Sequence, residues 1–223
     1  MLLRSFAPFI TLVALVCTIS GASGQQSIAA RSIARPCRPT TSTVHDAAQL
    51  VIQGRYNEAV DLCDKLVGTS QDSYNLYVVR SNAYSYLGRN DKAVDECTKA
   101  IAINQNYVEA YVSRSDCYNL LGQPAKALAD CNKGLQLDPT HASFYCNRGE
   151  AELKLSNYSA AISDLNKAID LIPSLGEGYY FRGLANEKIG SRNAAANDKA
   201  KSEQLGFHPG WSSISDGLHV IRQ

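Results

Sequence analysis

At 223 residues the chain has room for one ordinary domain or one short repeat array, and its 45% hydrophobic content is enough to build a buried core. A formal net charge of +1 supplies no field for recruiting nucleic acid or an anionic membrane. Whatever the chain does must therefore come from local surface shape.

The first element is a targeting pattern. Arg4 provides a positive start, Phe9 to Ile19 an apolar run of 11 residues, and Ser20 to Gly24 small residues suited to a signal peptidase. That run falls short of the roughly 18–20 residues needed to span a bilayer. Residues 1–24 thus read as a signal peptide cleaved near Ala22 to Gly24, giving a secreted or extracytoplasmic chain with no membrane span left. Arg31, Arg35 and Arg38 follow, and no Asp or Glu precedes Asp46, so an organellar transit peptide stays open as the alternative. Residues 25–39 read as a flexible lead-in.

From Thr40 onward one period organises the sequence. Gly54, Gly88, Gly122 and Gly190 are spaced at multiples of 34, with Ser156 in the missing slot. Ala59, Ala93, Ala127, Ala161 and Ala195 share the register, as do Tyr77, Tyr111, Tyr145 and Tyr179, and Pro139 and Pro173 close two units. The third unit shows the mechanics. Apolar residues fall at helical spacing from Tyr111 to Leu121, and Gly122 ends that helix by taking a positive φ. A second helix runs from Pro124, where a missing N–H costs nothing, to Leu137, and Asp138-Pro139 stops it. The small Ala column fits where the two helices cross. One hairpin cannot bury its apolar stripe alone, but stacked hairpins can. The predicted fold is all-α, a right-handed α-solenoid with a concave inner face, built from units 40–73, 74–107, 108–141, 142–175 and 176–206. Residues 207–223, with Trp211 and Ile214, are expected to cap its end.

Further columns carry charge or sulfur. Arg80, Arg114, Arg148 and Arg182 recur with Glu96, Asp130, Asp164 and Asp198, while the first unit has neither, carrying Asp46 and Leu62 at those slots. Presence and absence together predict Arg–acid pairing across each hairpin, in preference to a free guanidinium row binding an acidic ligand. Lys65, Lys99, Lys133, Lys167 and Lys201 suit the ends of the second helices, paired to Asp61, Asp95, Asp130, Asp164 and Asp198. Cys63, Cys97 and Cys131 form a column whose roughly 10 Å helix spacing is too wide for a disulfide. Cys97 with Cys117 is the one local pair left open. Nothing in the sequence has zinc spacing or calls for a cofactor.

The pattern Tyr111-x-x-Arg114-Ser-x-x-Tyr118-x-x-x-Gly122, followed by Ala127, Lys133 and Pro139, resembles the tetratricopeptide repeat family over roughly three quarters of the chain. The resemblance implies a non-catalytic interaction scaffold that grips a peptide or a partner's helix in the concave groove. It also implies the lining of that groove. One row is Asn82, Asp116, Glu150 and Leu184; a second is Val78, Val112, Cys146 and Tyr180; a third is Val79, Ser113, Asn147 and Phe181. Asn82, Asp116, Asn147, Glu150 and Tyr180 are the candidate partner-binding residues, amides for a peptide backbone beside acids and an aromatic. With Glu109 and Glu177 close by, the groove should favour a neutral or basic segment. The carboxylate clamp of some family members is absent, because Val78, Val112, Ser113, Glu177 and Phe181 fill slots that need Lys, Asn or Arg. Two other readings stay open: an architectural subunit with an empty groove, and a thiol enzyme using a groove-facing Cys146, for which the sequence reveals no base.

Overall fold

The computed structural model describes residues 43–67 and 73–207. The signal segment, the lead-in and all of the C-terminal cap except Phe207 lie outside the described residues. Among the described residues the structure is ten helices and no strand, and none of the helices is long and apolar enough to cross a membrane. They form five hairpins: α1 (Val44–Ile52) with α2 (Tyr56–Leu66), α3 (Ser73–Tyr86) with α4 (Asn90–Ile103), α5 (Val108–Leu120) with α6 (Pro124–Leu137), α7 (Ala142–Lys154) with α8 (Tyr158–Leu171), and α9 (Gly176–Lys188) with α10 (Arg192–Gln204).

Packing sets the curvature. Each helix packs on the next in sequence, and the first helices α1, α3, α5, α7 and α9 also pack on one another in order. The second helices make no such contact among themselves. Neighbours that touch lie closer than neighbours that do not, so the first helices form the inner, concave layer of an all-α solenoid. The Ala column sits at the crossings: Ala59, Ala93, Ala127 and Ala161 are fully buried and Ala195 nearly so. Apolar residues of successive hairpins fill the space between, as where Tyr111, Cys131 and Phe144 pack with Ile101 and Leu135.

The Arg column is the connection between repeats. Arg114 on α5 donates from Nε and Nη2 to both carboxylate oxygens of Asp130 on α6 (2.7 and 2.8 Å), and from Nη1 to Thr98 on α4 (3.0 Å). Arg148 grips Asp164 (2.7 and 2.7 Å) and Asn132 (2.9 Å), and Arg182 grips Asp198 (3.0 and 2.6 Å) and Asn166 (2.7 Å). Arg80 repeats the pattern with Glu96 and Asp64. Each guanidinium is also covered by the tyrosine three residues earlier, with ring centroids 5.2–5.7 Å from the Arg carbon. The predicted pairing is present in all four hairpins that carry both residues. The Lys expectation needs correction. Arg114, Arg148 and Arg182 hold Asp130, Asp164 and Asp198, and Lys99 reaches Glu96 (2.6 Å) instead of Asp95. The first hairpin, which lacks the Arg, uses Asp46 differently. Thr43 caps α1 and exchanges hydrogen bonds with Asp46, a reciprocal cap that neutralises two free helix donors.

The turn inside each hairpin requires a left-handed residue. Gly122 has φ +67°, and an added Cβ there would meet nothing within 4 Å, so only backbone strain opposes substitution. Ser156 occupies the same conformation at φ +65° and bears that strain. A different glycine makes room for a ring. A Cβ on Gly134, in the last turn of α6, would lie 2.0 Å from Cζ of Phe144, so the absent side chain is what lets α7 approach.

Two outcomes follow, both readable by urea denaturation. Ser156→Gly should raise the unfolding free energy by about 1 kcal/mol, and Gly122→Ala should lower it by about the same. Gly134→Ala should cost about 1–3 kcal/mol by overpacking, although alanine is the better helix former. Phe144→Leu in the same chain should recover part of that loss.

Candidate functional site

Three carboxylates from successive inner helices meet in the concave face. Asp116 comes from α5, Glu150 from α7 and Glu177 from the start of α9. Glu150 helps to raise the pKa of Asp116, and both Asp116 and Glu150 help to raise that of Glu177. Burial is the largest cause in each case. It pushes Asp116 up to about 7 and Glu177 to about 8, and moves Glu150 upward too. Glu150 is the most buried, and its Oε1 accepts from Lys154 Nζ at 2.7 Å. Lys154 also donates to the backbone oxygen of Asn119 at 2.6 Å, which fixes it at the rim. Glu150 and Lys154 stand one helical turn apart on α7, the i,i+4 spacing that could have revealed the lysine in the sequence. Tyr86 approaches Asp116 from α3 and stacks on Tyr56 at 4.7 Å.

The other predicted site residues are placed differently. Asn82 is half-buried on α3, and its Oδ1 accepts from Ser113 on α5 at 3.1 Å. Asn147 is buried between α5 and α7, not open to a peptide. Its Nδ2 donates to Ser115 Oγ (2.9 Å) and to the Val112 oxygen (3.3 Å), while its own backbone oxygen accepts from Asn119 (2.8 Å). Tyr180 lies toward the end of the array. Its ring is 5.4 Å from that of Phe181 and 5.3 Å from that of Phe207. The second implied row is mostly core: Val78 packs with Ala100 and Ala110, and Cys146 with Ala161, Leu165 and Ala185.

Cys146 corrects a further expectation. It is 2% exposed, and burial followed by the nearby Glu177 and Glu150 pushes its thiol well above the ordinary range. Cys63, Cys97 and Cys131 are raised to about 12, chiefly by burial. The five described cysteines are all free, so Cys97 and Cys117 are not bonded to each other. Ser81 Oγ lies 2.9 Å from the Cys97 sulfur instead. Thiols held protonated in a core are poor nucleophiles at neutral pH.

The raised carboxyls make stability depend on pH with a definite sign. Asp116 and Glu177 bind protons more tightly folded than unfolded, so their contribution is full below about pH 4 and is lost as pH rises through about 7 to 8. Between about pH 5.5 and pH 8.5 the chain should lose on the order of 1–2 kcal/mol from this source, allowing for partial solvent access. Thermal melts of wild type against the Asp116→Asn, Glu177→Gln double variant test this, since the variant should lack that component of the slope.

A tetratricopeptide repeat family model matches residues 74–107 and 142–175, and a second tetratricopeptide repeat model matches residues 96–129 in a shifted frame. A comparison with curated protein sequences finds no match. Among solved structures, MamA from Desulfovibrio magneticus RS-1, spanning its residue 41 to the end, is 20% identical, with 73% of this chain and 93% of that chain covered and a TM-score of 0.62. A crystal structure of MamA is 18% identical over 74% of this chain and 95% of its own, with a TM-score of 0.60. MamA of AMB-1 is 18% identical over 73% and 96%, again with a TM-score of 0.60. At such identities the likeness is one of fold. The family models thus match residues 74–129 and 142–175, within a stack of ten helices that is similar in fold to MamA.

Proposed function

We propose that the chain is a non-catalytic scaffold whose concave face takes an extended, neutral or basic segment of a partner protein, and that it works after export from the cytoplasm. The observation that carries the ligand reading is the convergence of Asp116, Glu150 and Glu177 with Lys154 as the close counter-charge. A half-shielded carboxylate cluster gains when a Lys or Arg side chain enters, because the attraction acts in a lower effective dielectric than bulk water. Asn82, Leu184 and Tyr180 flank the acids along the inner layer and would meet the neighbouring parts of such a segment. Export rests on the apolar run from Phe9 to Ile19 and the small residues after it.

Binding should be linked to protons. A cation in the groove favours the ionised carboxyls, so it must displace the protons that Asp116 and Glu177 hold near neutrality. Affinity for a Lys/Arg-containing peptide should accordingly rise from about pH 6 to about pH 8.5. Fluorescence anisotropy with labelled basic, neutral and acidic peptides measures this directly. The Asp116→Asn, Glu150→Gln, Glu177→Gln triple variant should bind the basic peptide at least about tenfold more weakly, near 1.4 kcal/mol. Equal binding of acidic peptides, or an unchanged affinity in the triple variant, would defeat the reading. N-terminal sequencing of the protein from its native compartment should find a start just after Ala22 to Gly24, and an intact Met1 would count against cleavage.

A further inference from the structure

Of the three carboxylates in the concave face, Glu150 alone is given a cation by its own helix. The row Asn82, Asp116, Glu150 and Leu184 is followed four residues later by Tyr86, Leu120, Lys154 and Lys188, one helical turn along the same face. Only in α7 does that spacing set a cation against an acid. Asp116 has Leu120 in the slot, and Glu177, at the start of α9, has Phe181.

Lys154 does more than neutralise its own helix. Its Nζ lies 2.7 Å from Glu150 Oε1 and donates across to the backbone oxygen of Asn119 in α5 at 2.6 Å. Asn119 stands three residues beyond Asp116, about one turn, so this second bond draws the ammonium from α7 toward the helix that carries Asp116. Asp116 feels the charge: Lys154 offsets part of the rise that burial and Glu150 impose on it. A carboxylate and a carbonyl oxygen are the contacts an incoming ammonium would seek, and Lys154 holds both from within the chain. It is not locked there. Its side chain is 35% exposed, against 9% for that of Glu150, and a flexible four-carbon stem with one solvated side can swing outward.

The direction of the effect follows from Coulomb's law. A partner's Lys or Arg that reaches Asp116 and Glu177 meets two carboxylates with a like charge beside them. Repulsion between two cations in a half-buried site acts in a lower effective dielectric than bulk water, so removing one of them favours the other. We infer that Lys154 is an internal competitor for the partner's cation, and that it holds the groove's affinity for basic segments below what three carboxylates would give. The inference rests on the groove reading above.

Fluorescence anisotropy on the full chain at about pH 8.5 tests it, with a labelled Lys/Arg-containing peptide and a counterpart in which Gln replaces each Lys and Arg. Lys154→Gln removes the charge but keeps an amide donor for Glu150 and Asn119, Lys154→Met removes both, and Lys154→Arg keeps the charge. The Gln and Met variants should bind the basic peptide about five- to tenfold more tightly than wild type, while the Arg variant stays within about twofold of it. Binding of the Gln counterpart should not change. Far-UV circular dichroism checks the fold, and where Lys154→Met fails to fold, Lys154→Gln decides. Affinity for the basic peptide that is unchanged or weaker in Lys154→Gln overturns the inference. The groove reading survives that result if the Asp116→Asn, Glu150→Gln, Glu177→Gln variant still loses affinity. A gain shared equally by the Gln counterpart also overturns it, because it would reflect a more open groove and not a lost charge. If neither wild type nor Lys154→Gln binds the basic peptide, the groove reading and this inference fall together.

Discussion

Helical hairpins of this size do not hold themselves in a stack. Apolar burial favours association but is indifferent to direction, and alanines at a crossing permit close approach without fixing an angle. Direction comes from the arginines. Each guanidinium sends a two-pronged bond to the acid of its own second helix and a third bond back to the second helix before it, so three helices share one planar group. The tyrosine three residues earlier covers the flat face. A lysine could supply the charge but not the fork. Because the acids at Glu96, Asp130 and Asp198 are buried, the arrangement is steep: removing one partner of such a pair leaves an uncompensated charge at a cost of about 3–5 kcal/mol. The register between repeats, and hence the geometry of the inner face, depends on this ladder.

With the ladder in place, the inner layer has little freedom. Asn147 ties α7 to α5 through three hydrogen bonds, and Asn119 joins the same network. Gly134 admits the ring of Phe144, and Cys146 fills space between α7, α8 and α9. Residues spent in this way cannot also receive a ligand. Of the three carboxylates, Asp116 and Glu177 stay partly exposed, while Glu150 is buried.

The architecture was legible because its residues repeat in kind. A glycine, an alanine, a tyrosine and an arginine at a fixed interval each answer to one physical demand that recurs in every hairpin. The acceptor on the preceding repeat was not legible, although it recurs just as strictly. Asp64, Thr98, Asn132 and Asn166 change chemical type while keeping one shared property, a side-chain oxygen within reach of an Nη1. The groove was harder still. Whether a side chain on a first helix is open or buried depends on the sizes of residues on two neighbouring helices, so position along the helix did not separate the partly exposed Asp116 from the buried Asn147, Glu150 and Cys146. Asp46 looked like a lost arginine until the structure paired it with Thr43 as a cap.

The chain therefore separates its charges into two populations with opposite thermodynamic signs. Along the ladder every guanidinium meets a carboxylate on two prongs and a carboxylate, amide or hydroxyl on the third, and the charged state is the stable one. Among the described residues Asp116 and Glu177 make no salt bridge, the nearby Lys154 being held by Glu150, and burial makes their ionised state the unfavourable one. A folded protein can carry such groups because the ladder and the core offset them. The imbalance would also couple binding to stability. Any cation that enters relieves the mutual repulsion of the carboxylates, so it binds the folded form and not the unfolded one and stabilises the array by mass action. On the proposed reading, the deficit that weakens the empty scaffold at alkaline pH would also supply its affinity, and neutralising the acids would strengthen the fold while removing the groove's preference for a cation.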